Sequence, residues 1–279
     1  MMMGTPLAAM PPDDEFAGTR RWYRRPLWLI VLAVVVIAAL IVAVAQTTGG
    51  SDDDAQPPVS TPTSTPPVSN GQDGYLPDTV DRFGQQIRVP RDPAGLALPQ
   101  RPPSSPRSRD DAASGVQWQQ VYDYGVAVYS TSDGPSTITA TGLAQGIAHT
   151  PQGSVIAASQ ILSRIFYGPP QVRRAVMDEQ VIGPPSAMTA LAELQLPANQ
   201  YPADRFIRVD PQYSDTFSRV MLASGPKASS QYPSGQYYVI TTMTMVWDQG
   251  QWKWRIPDDG FSETTRNTPI ESVAGWTQW

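Results

Sequence analysis

The stretch GLAQGIAHTPQG, residues 142–153, contains the single histidine of the 279-residue chain, His149. Histidine is the side chain most often used as a general base near neutral pH. Acyl-transfer catalysis also requires a nucleophile and an orienting acid beside the imidazole, and the sequence offers no such arrangement. Thr150 can instead cap a helix that has Pro151 at its first position. We therefore expect His149 to pack at the start of this helix rather than to act as a catalyst.

Metal and cofactor chemistry has few candidate residues. With one histidine and no cysteine, only an oxygen-ligand site for a hard cation is feasible. The two acidic runs, 52–54 and 258–259, are simpler to interpret as solvated turns. No phosphate-binding loop or dinucleotide fingerprint is present. The sequence therefore predicts no metal ligand, no cofactor-binding residue and no cofactor.

The tetrad Ser224-Gly225-Pro226-Lys227 matches the S-x-x-K pattern of penicillin-recognising enzymes. In those enzymes the serine lies at the start of a helix, and S-D-N and K-T-G elements complete the site. Here a proline interrupts the tetrad, and both companion elements are absent. We predict no catalytic residue and expect that the protein is not an enzyme.

Aromatic side chains could form a glycan-stacking platform or an anchor for a partner protein. The candidates are Trp247, Trp252, Trp254, Tyr237 and Tyr238. Their alternation along the chain places most of them on a covered face, which favours a role in the core. Trp276 and Trp279, at the C-terminus, are predicted to be partly exposed and are the candidate partner-contact residues.

Three consecutive helices are predicted between Thr150 and Pro197. The first has an apolar stripe opposite its polar residues Gln160 and Arg164. The stripe consists of Val155, Ala158, Leu162, Ile165 and Phe166. Two Gly-Pro-Pro triplets, 168–170 and 183–185, separate the helices.

After Pro197 the pattern changes to strands. DRFIRVD and TFSRVMLAS predict two of them, and QYYVITTMTMVWDQGQWKWRIP predicts a hairpin that turns at residues 248–250. Trp252 and Trp254 fall on one face and Lys253 and Arg255 on the other, so the sheet is covered on one side only. The predicted fold class is α+β: a cone-like domain over residues 111–279, with about three helices packed on a curved antiparallel sheet of about four strands.

Residues 27–45 form an uninterrupted apolar run that is long enough for a transmembrane helix. The preceding tail, 1–26, ends in arginines, and the far side has Asp52 to Asp54 and no basic residue before Arg82. This asymmetry predicts a cytoplasmic N-terminus and an extracytoplasmic C-terminal domain in the cell membrane. The alternative is a signal peptide that is cleaved after Ala45.

Residues 46–110 are rich in proline, serine and aspartate, which predicts a disordered extracytoplasmic linker. The part from residue 75 is open to a second interpretation, in which Phe83, Ile87 and Val89 form a short strand or dock on the domain. The absence of cysteine excludes disulfides. The net charge of −5 argues against direct nucleic-acid binding.

Three stretches resemble the single-span membrane proteins of actinobacterial conjugative and integrative elements. They are ATGLAQGIAHTPQGSVIAASQIL (140–162), WKWRIPDDG (252–260) and VAGWTQW (273–279). Those proteins are similar to the assembly-factor subunits of type IV secretion, the TcpC-like family, which have one span and a nuclear-transport-factor-two-like (NTF2-like) domain outside. TcpC-like proteins can have two such domains, whereas this chain has room for one.

The resemblance implies a non-catalytic, bitopic scaffold subunit of a conjugative DNA-transfer apparatus. Its expected partners are other apparatus subunits and further copies of itself, and no catalytic residue carries over. An alternative function is a binding module that holds a lipid, peptide or cell-wall ligand in the cone, unless Met243, Met245 and the tryptophans fill that space. An enzyme would require polar side chains to converge around His149, Asp204 or Arg208.

Overall fold

The computed structural model describes residues 74–193, 202–258 and 265–279. None of the helices in these ranges has both the length and the apolar character needed to cross a membrane. The predicted span at 27–45, the tail at 1–26 and the first part of the linker lie outside the described residues.

The described residues form an α+β fold, as predicted. The strands are β1 (Tyr75–Val80), β2 (Gln86–Pro90), β3 (Gln117–Val121), β4 (Gly125–Tyr129), β5 (Thr137–Ile138), β6 (Ala144–Gln145), β7 (Val181–Ile182), β8 (Phe206–Val209), β9 (Phe217–Ala228), β10 (Gln236–Asp248), β11 (Gln251–Arg255), β12 (Thr265–Pro269) and β13 (Thr277–Gln278). The helices are α1 (Pro151–Tyr167), α2 (Pro170–Gln180) and α3 (Pro185–Ala192), and a 3₁₀ helix spans Ile270–Val273.

The three helices begin and end at the predicted signals. The hydroxyl of Thr150 caps α1 by accepting a hydrogen bond from the Gly153 amide at 2.9 Å. Each helix starts with a proline at its first position, where the missing N–H costs no hydrogen bond. The Gly-Pro-Pro triplets therefore divide this part of the chain as the sequence predicts.

The large sheet has the strand order β13-β8-β9-β10-β11-β7, and β12 pairs with the first half of β10. Strands β8 to β11 are the four predicted from sequence, and each pairs antiparallel with the next. The turn between β10 and β11 has positive φ at Gln249 (52°) and Gly250 (80°), as in the tight hairpin turns that match strand twist. The sheet is larger than predicted because β7 and β13 have only two residues each and β12, TRNTP, has no alternating apolar residues.

A second sheet, with the order β1-β2-β3-β4, packs against the other side of α1. We expected the polar stripe of α1 to lie away from the core, but Gln160 and Arg164 are only 1% and 0% exposed. This expectation was wrong because α1 lies between two sheets. Its polar side chains bind the backbone of β4: the Gln160 amide donates to the Val128 carbonyl at 2.6 Å, and Ser163 donates to Val126 at 2.6 Å.

The segment 74–110, which we assigned to the linker, is part of the domain. Ile87 in β2 is fully buried, as the alternative interpretation proposed. Arg164 donates to the Ala94 carbonyl at 2.8 Å, and the side-chain amide of Gln119 donates to the Leu96 carbonyl at 2.9 Å. The predicted domain boundary at residue 111 is therefore too late. Proline-rich composition was misleading here because side chains of the domain satisfy the backbone groups of this segment.

Candidate interaction surface

The large sheet has two faces of different chemistry. One face packs against α1, α2 and α3 and forms the main core. Its sheet residues are Ile207, Val209, Val220, Leu222, Met243, Met245, Trp252 and Trp254. Because neighbouring residues in a strand point to opposite faces, the residues between these positions form the outer face.

Three arginines form a row across this outer face, one on each of β8, β9 and β11, and a fourth, Arg266 on β12, lies opposite Ile240 further along the face. Arg219 and Arg255 are the cross-strand partners of Thr244 on its two sides, which places their Cα atoms about 10 Å apart. Arg208 is the cross-strand partner of Met221, which lies two residues beyond Arg219 on β9. All three arginines are exposed, and none takes part in the ion pairs found among the described residues.

Apolar side chains are interleaved with these arginines. Phe217, Met221 and Val246 are half-buried on the same face. We call this surface, made of Arg208, Arg219, Arg255, Phe217, Met221 and Val246, the basic face. A mixture of arginine with partly exposed aromatic and aliphatic groups is typical of protein–protein contact surfaces.

The C-terminal segment covers the other half of the outer face. Val273 packs with Tyr238 and Ile240 in a second apolar cluster, and the indole of Trp276 lies against it. Trp276 is half-buried, as predicted. It borders the basic face rather than lying apart from it.

A surface notch of ≈ 240 Å³ lies where the basic face meets the C-terminal segment. Its lining includes Arg109, Asp110, Arg208, Trp276 and Thr277. Arg109 and Asp110 form an ion pair at 3.0 Å. The volume is below the roughly 300–1,000 Å³ of small-molecule sites, so the notch better fits a single side chain of a partner protein.

Comparison with known families identifies the region that carries these features. Residues 85–278 match the model of one family, described as Domain of unknown function (DUF8175). The chain belongs to this family. The DUF8175 match includes β2 to β4 of the small sheet, the large sheet and the C-terminal segment, which agrees with a domain that starts before residue 111. No curated protein and no solved structure matches the chain.

Within the DUF8175 region, His149 packs against aromatic side chains of the β10–β11 hairpin. Its imidazole stacks on the Trp247 indole with ring centroids 3.9 Å apart and lies edge-on to Trp252 at 5.5 Å. The Nε2 atom is hydrogen-bonded to the backbone carbonyl of Asp215. His149 thus joins the start of α1 to the β10–β11 hairpin, rather than packing across the first turn of its own helix.

His149, Asp204 and Arg208 have separate sets of neighbours. Asp204 is 2% exposed, and its Oδ1 atom has no hydrogen-bond partner in the described structure. Burial raises the pKa of this carboxyl from 3.8 to about 7. Arg208 instead projects from the basic face. No contact described for these residues joins any two of the three, so they form no common site.

The S-x-x-K tetrad lies in the last part of β9, not at the start of a helix. The pairing with β10 shifts register within the tetrad, because Ser224 lies opposite Val239 and Lys227 lies opposite Tyr237, so Gly225 and Pro226 form a bulge in the strand. Burial, with a smaller contribution from Arg82, lowers the pKa of Lys227 to about 8. The tetrad has the pattern but not the geometry of a penicillin-recognising site.

The other aromatic candidates are mostly core residues, as predicted. Trp252 and Trp254 are 2% and 3% exposed, and Tyr238 is 6% exposed. His149 covers one face of Trp247, so the hairpin presents no open row of rings. Trp279 is half-buried between two core clusters, and its amide donates to the Arg205 carbonyl at 3.3 Å. Trp276 is therefore the better placed of the two predicted partner-contact residues.

No group of three or more histidine, cysteine, aspartate or glutamate side chains in the described ranges is arranged to hold a metal ion. Of the acidic runs considered from sequence, Asp258 lies exposed in a turn, whereas Asp259 and residues 52–54 lie outside the described residues.

Arg219 of the basic face was not among the residues singled out from the sequence. The alternation of TFSRVMLAS, read with a period of two, could have placed it beside Phe217 and Met221.

Proposed function

We propose that the protein is a non-catalytic, single-span scaffold subunit of a conjugative, type IV secretion-like DNA-transfer apparatus. In this proposal the tail is cytoplasmic, residues 27–45 span the membrane, and the domain lies outside the cytoplasm. The apolar run and the arginine–aspartate asymmetry of the sequence support this topology. The resemblance of three stretches to single-span proteins of conjugative and integrative elements, which are themselves similar to the TcpC-like family, supports the role in transfer.

The observation that carries the proposal is the basic face. It combines exposed arginines, half-buried apolar groups and a bordering tryptophan on the side of the sheet that the helices leave open. Tryptophan and arginine are the residues most enriched among those that dominate binding at protein interfaces. The scaffold would therefore act through protein contacts of this face, with partners among the apparatus subunits and other copies of itself.

The proposed NTF2-like fold is supported by the order of elements. Helices α1 to α3 come first and the antiparallel strands β8 to β11 follow, which is the order that the resemblance implies. The small sheet of β1 to β4 is an addition to that plan. A curved sheet that encloses the helices as a cone remains part of the proposal.

A ligand-binding module is the weaker candidate. A ligand inside the cone would need the space between the helices and the sheet. Met243 and Met245 are both 0% exposed and pack there with Trp252 and Trp254. These side chains fill the position where a cavity was considered, so the proposal does not include an internal ligand.

Deletion of the gene in a donor strain tests the proposed function. We expect transfer frequency to fall by several orders of magnitude and to be restored by the full-length gene. A variant without residues 1–45, secreted by a cleavable signal, should not restore it. Unchanged transfer after clean deletion would refute the proposal, and a mature membrane protein that begins at Gln46 would refute the anchor.

A further inference from the structure

We propose that the basic face binds the acidic corner of a second copy of this chain, so that subunits associate head to tail. The acidic corner is the pair Asp178 and Glu179 at the end of α2. This inference rests on the self-association in the proposed function and names the two surfaces that make it.

The charges of α2 are reversed relative to its dipole. The helix has no acidic residue in its first turn and no basic residue in its last turn, where Asp178 and Glu179 lie. Carboxylates at a helix C-terminus are unfavourable by about 0.3–1 kcal/mol each, because the backbone carbonyls there are partly negative. Both side chains are exposed, and neither is in an ion pair among the described residues. Among the described residues of one copy, no ion pair compensates this arrangement.

No ion pair joins the two charged surfaces among the described residues. Strand β7 follows α2 directly and forms one edge of the large sheet beside β11. The Glu179 carbonyl accepts a hydrogen bond from the side chain of Gln251 at 3.3 Å, which holds the acidic corner beside the start of β11. The basic face runs from Arg255 on β11 to Arg208 on β8, which is next to the other edge strand, β13. The proposed contact joins the basic face of one copy to the acidic corner of another.

A heterologous contact of this kind leaves one basic face and one acidic corner free at the two ends of an open assembly. It therefore generates a closed ring or an open row, depending on the rotation between neighbours. Charge complementarity would favour encounter and register. Phe217, Met221 and Val246, half-buried on the basic face, would supply the apolar contact area that charges alone do not provide.

The composition of the face favours a protein over a nucleic acid. Nucleic-acid surfaces gain affinity from many phosphate contacts by Lys and Arg, and the chain as a whole is acidic, with a net charge of −5. Three arginines separated by phenylalanine, methionine and valine make a small mixed patch. The planar guanidinium of an arginine can donate two parallel hydrogen bonds to one carboxylate, and Asp178 and Glu179 provide two carboxylates.

The test uses the full-length protein in detergent and measures its mass distribution by sedimentation velocity. We expect oligomers at 50 mM salt that dissociate at 500 mM salt. The basic-face variant, Arg219→Glu with Arg255→Glu, and the acidic-corner variant, Asp178→Lys with Glu179→Lys, should each lose association by about 100-fold. A one-to-one mixture of the two variants, and the chain that combines all four substitutions, should associate again.

Matched controls change the same charges on exposed residues outside the two surfaces. They are Arg82→Glu with Arg101→Glu, and Asp123→Lys with Glu193→Lys, and both should associate like the wild type. A monomeric wild type at 50 mM salt overturns the proposal, as does failure of the mixture to associate. Normal association of either surface variant overturns it too. These results would leave the transfer test unaffected, because a scaffold can act through other subunits alone.

Discussion

The imidazole of His149 and the indole of Trp247 stack with ring centroids 3.9 Å apart and planes within 6° of parallel. This pair joins the residue before the α1 cap to the β10–β11 hairpin of the large sheet. Trp252 completes the contact from the core side, and its Nε1 atom donates to the Ala148 carbonyl at 3.1 Å. The single histidine of the chain therefore contributes to packing, and this role can be measured.

Replacing His149 should affect stability and not transfer. His149→Ala removes the stacking and the bond to Asp215, so the free energy of unfolding should fall by about 1 kcal/mol. His149→Phe keeps the stacked ring and should recover about half of this loss. Tryptophan fluorescence during urea unfolding gives both values. A variant that folds normally but abolishes transfer would instead indicate a chemical role for the imidazole.

The buried pair of Asp133 and Arg107 should make stability depend on acid pH. Burial acts to raise the pKa of Asp133, but hydrogen bonds from Arg107, Ser132 and Thr150 and the charge of Arg107 outweigh it, so this pKa is lowered from 3.8. A lowered pKa adds stability above pH 3.8, and this contribution is lost as the pH falls through the folded-state value. Asp133→Asn should therefore cost about 3 kcal/mol at pH 7.

The same variant provides its own control at low pH. As the pH falls through the lowered folded-state pKa of Asp133, the wild type and Asp133→Asn should approach the same free energy of unfolding, because the wild-type carboxyl becomes protonated as well. An equal difference between the two proteins at all pH values would contradict the assignment. Arg107→Met combined with Asp133→Asn should cost less than the sum of the single variants.

Asp204 should have the opposite pH dependence. Its pKa is raised to about 7 by burial, so the folded state holds a proton that the unfolded state releases near pH 4. The stability linked to this proton is complete below pH 3.8 and is lost as the pH rises toward 7. Asp204→Asn should reduce the loss of unfolding free energy as the pH rises. Above pH 8 the variant should be more stable than the wild type by roughly 4 kcal/mol. If the unfolding free energies of the two proteins changed with pH in parallel, the raised pKa of the buried Asp204 carboxyl would be contradicted.

Arg164 should control whether the segment 91–109 stays on the domain. Its buried guanidinium donates to the Gly142 carbonyl at 2.7 Å and to the Ala94 carbonyl at 2.8 Å. Arg164→Met leaves these acceptors unpaired, so we expect a loss of about 3 kcal/mol and faster trypsin cleavage within the segment. Arg174→Met, on an exposed residue of α2, is the matched control. Equal cleavage rates for the two variants would show that Arg164 does not fasten the segment.

The sequence predicted the parts of the fold that follow from local patterns. Thr150 and Pro151 defined the start of α1, and the Asp248-Gln249-Gly250 turn defined the β10–β11 hairpin. The small sheet was predicted only in part, as the alternative short strand around Ile87 and Val89, because its two hairpins are joined by a non-local parallel pairing of β2 with β3. The burial of the polar stripe of α1 was missed because β4 covers it, and no residue pattern indicated that a second sheet packs on this side of the helix.

The candidate site was only partly accessible from sequence. Alternation placed Arg255 opposite Trp254, and the position of Trp276 near the C-terminus suggested partial exposure. The basic face, however, depends on the register between β8, β9, β10 and β11, which brings Arg219 and Arg255 to the two sides of Thr244. Register is a property of the folded sheet, so residue patterns alone could not assemble these arginines into one surface.

Crosslinking in donor-cell membranes tests the account most directly. A photoreactive side chain at Thr244, in the centre of the basic face, should yield adducts with a second copy and with other transfer-apparatus subunits, identified by mass spectrometry. The same group at Thr137, which is exposed on β5, is the matched control and should yield few. Recovery of the protein in the medium, or no protein adduct at Thr244 beyond the Thr137 background, would contradict a membrane scaffold that acts through this face.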